Sequence, residues 1–173
     1  MATPLANLKL NDCAKLPQFK PSDIGLADDF VLTSYAKLKG WGCKIPQQSL
    51  LRLLDGIGSD AIGMDCSIIP SQKYNNFFIV STTDFFYPLV EDPYLQGRIG
   101  CANVLSDMYA LGVIHIDNVL MIIAASTEIE SKSRDIVTRQ MMIGFNDCCL
   151  LANTNVTGGQ SVLNPWPIIG ILF

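Results

Sequence analysis

Three aspartates are the residues of this chain whose type and position suit metal chemistry. Asp65 follows Gly63 and Met64, Asp84 follows the apolar run 77–80, and Asp107 lies near the end of a predicted helix. Ligand groups are common at turns and element ends, and carboxylate oxygens are preferred ligands of Mg²⁺. The three carboxylates therefore form a candidate magnesium site if the fold brings them together. A plain turn role for each is the alternative.

A glycine pair near the C-terminal end is the second feature with chemical potential. Gly158 and Gly159, followed by Gln160 and Ser161, stand between apolar stretches. Backbone N–H groups exposed by glycines can bind phosphate. An ordinary β-turn explains the same pair, and the pair alone favours that interpretation. The single histidine, His115, is interpreted as structural, and the absence of a Cys-x-x-Cys pair makes a zinc site improbable.

The helix that must position Asp107 is predicted from Asp92, as N-cap, to Leu111, with Pro93 in the first turn. One face of this helix carries small polar residues at spacings of four, three and four: Gln96, Gly100, Asn103 and Asp107. The predicted core positions are Leu95, Ile99, Ala102, Leu105 and Met108. We expect this polar face either to be exposed or packed without a chemical role, or to position Asp107 beside a cation.

The remaining pattern predicts alternating strands and helices. A short helix follows Pro46 and ends at Gly56, and a second long helix opens at a capping-box-like sequence beginning with Thr127. That helix has an apolar stripe at Val137, Met141, Phe145, Cys148 and Ala152. Strands are predicted at 66–69, 77–83, 117–126, 156–157 and 168–173, with a turn at 74–76. The order predicts an α+β fold in which two helices pack on a mostly antiparallel sheet.

Composition excludes several classes of protein. The chain has 173 residues, 49% hydrophobic and 16% charged, with a formal net charge of -4, which predicts one globular domain without a nucleic-acid surface. Its longest apolar run is too short to span a membrane, and six cysteines without paired spacing indicate reduced thiols and a cytoplasmic protein. Residues 1–29 hold no period and are predicted to be a flexible arm before a domain at 30–173.

Five segments, taken in order, carry a resemblance to a known family. They are residues 40–46 (GWGCKIP), 63–65 (GMD), 82–94 (TTDFFYPLVEDPY), 97–107 (GRIGCANVLSD) and 156–166 (VTGGQSVLNPW). From about residue 30 to the end, the chain resembles selenophosphate synthetase, also called selenide, water dikinase, and is most similar to the animal-type enzymes. Each segment is weak alone, but five in register are specific.

The resemblance implies an activity, a fold and a set of site residues. The family makes selenophosphate from selenide, ATP and water, releasing AMP and orthophosphate. Its fold is that of the aminoimidazole ribonucleotide synthetase superfamily, in which two chains pair their sheets in a dimer. By residue match, Lys44 contacts ATP phosphates, Asp65 and Asp107 ligate Mg²⁺, and the nucleotide site also includes Gly63, Met64, Asp84 and Gly158 to Ser161. Metal ions and a lysine would neutralise charge during phosphoryl transfer.

Position 41 departs from the family pattern. The reactive cysteine or selenocysteine of the family stands between the two glycines of the loop, where this chain has Trp41. An indole has no ionisable chalcogen, so Trp41 cannot act as that nucleophile. Either the chain is a homologue without selenide-dependent activity, or a UGA codon for selenocysteine was read as tryptophan. Cys43 matches a cysteine retained in the family that is not the usual nucleophile.

Two functions therefore stay open at this point. The first is a selenophosphate-synthesising enzyme. The second is a catalytically impaired homologue or fragment that binds ATP and Mg²⁺ or dimerises, with itself or with a full-length relative. We expect the carboxy-terminal domain of the family to be absent from this chain. A purine-pathway synthetase or a thiamine-phosphate kinase is a third candidate, and the loop 40–44 argues against it.

Overall fold

The computed structural model describes residues 18–40, 42, 44–57 and 65–172. In chain order, its helices and strands are α1 (Gln47–Leu54), β1 (Cys66–Pro70), β2 (Phe78–Phe86), α2 (Pro93–Ala110), β3 (Val119–Ser126), α3 (Ser131–Leu151), β4 (Val156–Asn164) and β5 (Ile168–Leu172). Two short 3₁₀ helices, Pro21–Ile24 and Leu32–Tyr35, precede them.

The five strands form one sheet in the order β1-β2-β5-β3-β4. Three of the four strand pairs are antiparallel, and β3 with β4 is parallel. Because β3 and β4 are joined through α3, this pair is a βαβ unit, which requires such a crossover connection. The prediction of an α+β fold with a mostly antiparallel sheet is confirmed, and the short α1 is a third helix beside the two long ones.

The core lies between one face of the sheet and the two long helices. Side chains of paired residues share a face of a sheet, and the rows Phe86–Ile169–Ile123 and Ile171–Met121 are buried on the helix side. The two long helices lie against each other at two glycines. A Cβ atom on Gly97 would lie 2.0 Å from the Met141 carbonyl oxygen, and one on Gly144 would lie 1.9 Å from the Tyr94 carbonyl oxygen. Only glycine permits this approach.

The start of α2 is as predicted, but its buried face is not. The Asp92 side chain accepts hydrogen bonds from the backbone N–H groups of Tyr94 and Leu95, and Pro93 opens the helix. Of the predicted core positions, Leu105 and Met108 are buried, Leu95 and Ile99 are only partly buried, and Ala102 is exposed. The buried positions include Gln96, Gly97, Gly100, Cys101 and Val104. The face with small residues is buried because only small side chains allow α2 to pack closely on its neighbours. The predicted core face of α2 was therefore wrong in part.

The predicted capping box at Thr127 was also wrong, because α3 begins only at Ser131. Glu130 is the N-cap, and its carboxylate accepts a hydrogen bond from the Ser133 N–H. The stripe of Val137, Met141 and Phe145 is buried as expected, but its continuation runs through Cys149. Cys148 and Ala152 lie at the margin of the core.

Two strands are longer than the sequence pattern predicted. The β2 strand continues to Phe86, because Thr83 to Phe86 pair with β5, a partner that is distant in the chain (Phe86 pairs with Ile169). The β4 strand runs through the glycine pair and beyond it, because its residues pair with β3 as far as Asn164. Asp84 therefore lies inside a strand, and the β-turn interpretation of Gly158 and Gly159 was wrong. The predicted turn at 74–76 is present, with Asn76 at a positive φ of 64°.

Part of the predicted flexible arm packs on the domain. Leu26 of this arm is buried in the core. Directly after the arm, Leu32 is also buried, and the two Glu91 carboxylate oxygens accept hydrogen bonds from the Thr33 N–H (3.0 Å) and hydroxyl (2.5 Å). An apolar side chain at position 26 thus extends ordered structure to before residue 30, and residues 1–17 of the arm lie outside the described residues. Within the described ranges, no helix is long and apolar enough to cross a bilayer.

Candidate active site

One cleft brings together the charged residues that the sequence singled out. Lys44, Asp65, Asp84 and Asp107 line an opening of about 390 Å³ together with Ser67, Ser81, Thr82, Thr83 and Leu172. The Lys44 Nζ atom lies 3.8 Å from an Asp65 oxygen and 3.7 Å from an Asp84 oxygen. Lys44 and Asp65 are largely exposed, whereas the Asp84 side chain is only 12% exposed. Residues from loops, three strands and a helix thus converge at one place.

The loop that carries Lys44 is fixed to the end of β2. The Gly40 N–H donates to the Tyr87 carbonyl at 3.4 Å, and Gly40 has a positive φ of 49°. This backbone conformation favours glycine, and a Cβ at Gly40 would lie 2.6 Å from a Leu89 side-chain carbon, which would have to move. The segment after Tyr87 is in turn held by buried Gln96, which accepts from the Leu89 N–H at 2.7 Å and donates to the Tyr87 carbonyl at 3.3 Å.

Adjacent strands β1 and β2 position the first two carboxylates. Asp65 directly precedes β1, and the Thr82 hydroxyl of β2 donates to the Asp65 carbonyl at 2.7 Å. Asp84 points to the helix side of β2, since it pairs with buried Ile171. One Asp84 carboxylate oxygen accepts the N–H of Phe85 at 2.8 Å. The antiparallel register of β1 and β2 therefore keeps both carboxylates near the Lys44 ammonium.

Asp107 enters the cleft from the last turn of α2. Burial raises its pKa, and the negative charges of Asp65 and Asp84 raise it further, whereas Lys44 lowers it. The C-terminal end of a helix also carries a partial negative charge. With all groups ionised, three carboxylates and one ammonium leave a formal charge of -2 in the cleft. An environment of this kind favours a divalent cation.

The carboxylates share the cleft without forming a complete ligand shell. Across the described parts of the chain, no three His, Cys, Asp or Glu side chains are arranged to hold a metal ion. Magnesium does not need such a cage, because proteins commonly bind it through one or two carboxylates together with water and substrate phosphates. The oxygen-only donor set of Asp65 and Asp107 fits that mode. These two residues would hold Mg²⁺, and the ion would neutralise phosphate charge.

The glycine segment 158–161 lies elsewhere on the sheet. Gly158 pairs with Leu120, which pairs with Leu172, which pairs with Thr83 of the cleft. Three strand spacings separate the two ends of this row, about 14 Å. A Cβ on Gly159, whose φ is +143°, would lie 1.8 Å from the Met121 carbonyl oxygen. Glycine is thus required at position 159 because β4 approaches β3 closely there. Only an extended ligand would touch both the cleft and the segment 158–161.

Several predicted site residues lie outside the described residues: Trp41, Gly63 and Met64, and with them Cys43. Other cleft residues were not predicted. Ser67 and Ser81 line the opening, and Gln96 anchors its loop, although Gln96 was noted only as part of a polar face. A buried glutamine needs partners for its amide, but the sequence does not show which backbone groups those are.

The fold and the cleft correspond to a known class of domain. Residues 56–172 match the family described as AIR synthase related protein, N-terminal domain. This match covers more than half of the chain, and the chain belongs to that family. The prediction of the aminoimidazole ribonucleotide synthetase fold is therefore confirmed.

Relatives at higher identity are named selenide, water dikinase. The protein of Trypanosoma brucei brucei is 51% identical over 164 residues, which cover 90% of this chain and 42% of the relative. That of Leishmania major is 52% identical over 164 residues, covering 90% and 41%. That of Dictyostelium discoideum is 53% identical over 139 residues, covering 80% and 38%. The resemblance to this phosphotransferase family is confirmed, and the chain spans about two fifths of the length of these relatives.

Solved structures of low identity share the fold. A structure described as AaThiL complexed with AMPPCP and TMP superposes with a TM-score of 0.55 at 18% identity, covering 75% of this chain and 43% of the other. Thiamine monophosphate kinase from Aquifex aeolicus gives a TM-score of 0.54 at 18% identity, covering 74% and 42%. At this identity the likeness concerns the fold alone.

The raised pKa of Asp107 predicts a stability effect that depends on pH. A raised carboxyl pKa means that the folded state holds the proton more tightly than the unfolded state. That stabilisation is full below the ordinary Asp pKa and is lost as the pH rises through the higher folded pKa, so ionised Asp107 destabilises the free protein at pH 7. We expect Asp107→Asn to raise Tm at pH 7 on the order of 1 °C, since the group is largely solvated.

Thermal unfolding at pH 7 and at pH 3 measures this effect, with Asp117→Asn, at an exposed position outside the cleft, as the matched control. At pH 3 the gain should vanish, because Asp107 is then protonated in both states. A Tm for Asp107→Asn at or below that of the parent protein at pH 7 would contradict the assigned charge repulsion.

Proposed function

We propose that this domain binds ATP with Mg²⁺ in the cleft of Lys44, Asp65, Asp84 and Asp107, as the nucleotide-binding half of a selenophosphate-synthesising system. The convergence of one lysine and three carboxylates from four separate segments is the observation that carries this proposal. The names of the relatives support the reaction class, in which selenide, ATP and water give selenophosphate, AMP and orthophosphate. Free thiols at the described cysteines are compatible with a cytoplasmic location, which we also propose.

We assign a separate role to each charged group of the cleft. The Lys44 side chain is more than half exposed, so its ammonium would contact the phosphate oxygens of a ligand in the cleft. Asp84 is held by the N–H of Phe85 and by its place in β2, so it positions Lys44 and limits where phosphate can lie. Asp65 and Asp107 line the same cleft, the negative charge of Asp65 acts on Asp107, and the two carboxylates would offer oxygens to one cation.

The segment from Gly158 to Ser161 remains part of the proposal as a second contact with the nucleotide. These residues are exposed, and in the described sheet β4 is an edge strand paired only with β3. An edge strand presents backbone N–H groups that a ligand can use. A nucleotide with phosphates beside Lys44 would have to extend across the row of Leu172 and Leu120 to reach them.

The first test is ATP binding by calorimetric titration. We expect Asp107→Asn to weaken binding in the presence of Mg²⁺ by about tenfold, a loss of about 1.4 kcal/mol, because one cation ligand is lost. Without Mg²⁺ the difference should shrink, since Asp107 then only repels phosphate. Lys44→Met should weaken binding with and without Mg²⁺, because it removes a direct phosphate contact.

Asp117→Asn and Lys132→Met serve as controls, since both residues are exposed and lie outside the cleft. Asp107→Asn is expected to be at least as stable as the parent protein, so its loss of affinity cannot be attributed to unfolding. Equal ATP affinity of the parent chain and Asp107→Asn at saturating Mg²⁺ would exclude the metal role of Asp107.

The second test separates catalysis from binding at position 41. We expect the chain with Trp41 to release little or no AMP when selenide, ATP and Mg²⁺ are supplied, because the indole offers no chalcogen nucleophile. Trp41→Cys should increase selenide-dependent AMP release, with Ser131→Cys, at an exposed position outside the cleft, as a control for an added thiol. Substantial selenide-dependent turnover by the chain with Trp41 would contradict this expectation. A separate measurement, the mass of the tryptic peptide 40–44 from the natural source, would show whether residue 41 is tryptophan or selenocysteine.

We also propose that the sheet face opposite α2 and α3, here called the helix-free face, pairs with a second copy or with a full-length relative. The core packs on the opposite face, and the helix-free face carries exposed apolar side chains in three rows. Phe85, Leu172 and Val162 are 42%, 43% and 44% exposed. Strand register places all three on the same face, because they belong to alternate rows. A contiguous apolar surface of this kind is typical of a protein interface.

The dimer is tested by light scattering after size-exclusion chromatography. We expect the parent chain to be dimeric and Phe85→Asp to be monomeric at the same concentration, because a carboxylate would be buried without a partner. Leu150→Asp is the matched control, since Leu150 is 55% exposed on α3, away from the sheet. The same molar mass for the parent chain and Phe85→Asp would contradict this interface.

A further inference from the structure

Gln96 is a polar side chain in the core of the domain, at a position where an apolar residue would be expected. It lies on α2 with 0% of its surface exposed, and it does not line the cleft. Burying an amide is unfavourable unless its oxygen and its nitrogen both find hydrogen-bond partners. A glutamine at this position therefore points to partners that need an acceptor and a donor together.

The two partners belong to the segment that joins β2 to α2. The Gln96 Oε1 atom accepts the Leu89 N–H at 2.7 Å, and the Nε2 atom donates to the Tyr87 carbonyl at 3.3 Å. Pro88, which is buried between them, has a fixed φ and no N–H of its own. The amide thus binds a backbone acceptor and a backbone donor two residues apart, as a peptide group of a neighbouring strand would. Segment 87–89 is therefore tied to α2.

Both residues that Gln96 holds also contact Gly40. The Tyr87 carbonyl accepts the Gly40 N–H at 3.4 Å in addition to the Gln96 amide, since a carbonyl oxygen has two lone pairs. The Leu89 side chain lies so close to Gly40 that an added Cβ would be 2.6 Å from one of its carbons. Gln96 thus determines, through Tyr87 and Leu89, where the chain stands shortly before Lys44.

A further contact between the same two parts of the chain lies earlier in the sequence. Thr33 donates to the Glu91 carboxylate from its N–H and its hydroxyl. This pair holds the beginning of the approach to the cleft, whereas Gly40 is followed at once by a turn in which the Gly42 N–H donates to the Lys39 carbonyl at 2.8 Å. The contacts of Gly40 are therefore the ones that bear on the position of Lys44.

We propose that Gln96 is a positioning residue for Lys44. By holding segment 87–89 against Gly40, it keeps the Lys44 ammonium in the cleft, where the nucleotide phosphates would lie. The inference rests on the proposed nucleotide function and adds to it a residue that does not touch the ligand. Gln96 acts through Lys44 and not through Asp107, because Asp107 lies about three turns further along α2 and needs no contact with segment 87–89.

The test is a calorimetric titration with ATP on a double-mutant cycle. Gln96→Met keeps a similar length and removes both hydrogen bonds. We expect it to weaken ATP binding about fivefold, with and without Mg²⁺, because a misplaced lysine loses its phosphate contact in either case. In the Lys44→Met background the same substitution should have no effect, whereas in the Asp107→Asn background the full loss should remain.

Two further variants separate positioning from a loss of stability. Gln96→Glu can form both hydrogen bonds as the neutral acid, the form that burial favours, and at pH 6 it should bind ATP within about twofold of the parent chain. Val137→Ala removes core volume from α3 outside the cleft, so it should lower Tm and leave ATP affinity unchanged. Circular dichroism verifies the fold of each variant, and Gln96→Asn, whose shorter amide cannot reach both partners, takes the place of Gln96→Met if the latter does not fold.

Hydrogen exchange of the ligand-free chain gives a measurement that does not depend on ATP. We expect the amides of residues 40–44 to exchange about threefold faster in Gln96→Met than in the parent chain, since the support of the Gly40 N–H is weakened. The amides of β3, which lies inside the sheet, are the internal reference. Val137→Ala should not change exchange at 40–44 relative to β3.

The outcomes distinguish this inference from the proposed function. Equal ATP affinity of the parent chain and Gln96→Met, or an equal loss in the Lys44→Met background, would overturn the positioning role and leave the nucleotide site standing. No ATP binding by the parent chain would instead refute the nucleotide site. In that case unchanged exchange at 40–44 in Gln96→Met would also refute the hold of Gln96 on the loop.

Discussion

The close contact of α2 with α3 is the constraint on which the rest of this domain depends. At Gly97 and Gly144 the backbone of each helix occupies the space that a methyl group would need. Interiors pack densely, so a contact without side chains fixes the separation and rotation of both helices. The rotation decides which side of α2 faces the sheet, and the buried set of Gln96, Cys101 and Val104 follows from it.

Because α2 is fixed, it can act at both of its ends. Near its start, buried Gln96 holds the chain at Tyr87 and Leu89, and Tyr87 in turn holds Gly40 of the loop that leads to Lys44. Near its end, Asp107 lines the cleft that also holds Lys44. One helix, α2, thus positions both Lys44 and Asp107 although the two residues are distant in sequence. Loosening α2 would change both ends together.

Local features of the fold could be predicted from the sequence, and features created by distant pairing could not. Asp92 and Pro93 specify a helix start by themselves, since the cap bonds lie within three residues. The length of β2 depends on β5, and the buried side of α2 depends on α3, so neither is visible in a local pattern. Asp65, Asp84 and Asp107 were identified by type and position, but their approach to Lys44 exists only after the strands have paired.

The described domain has two unfavourable features that binding partners would relieve. Burial, and then repulsion by Asp65 and Asp84, raise the pKa of Asp107, so its ionised form is unfavourable in the free protein at neutral pH. The helix-free sheet face leaves Phe85 and Leu172 in contact with water. A cation with phosphate would neutralise the first, and a second sheet would bury the second. Binding sites commonly reduce the stability of the unbound protein. Both features are therefore explained by binding, of a cation with phosphate in the cleft and of a second sheet on the exposed face.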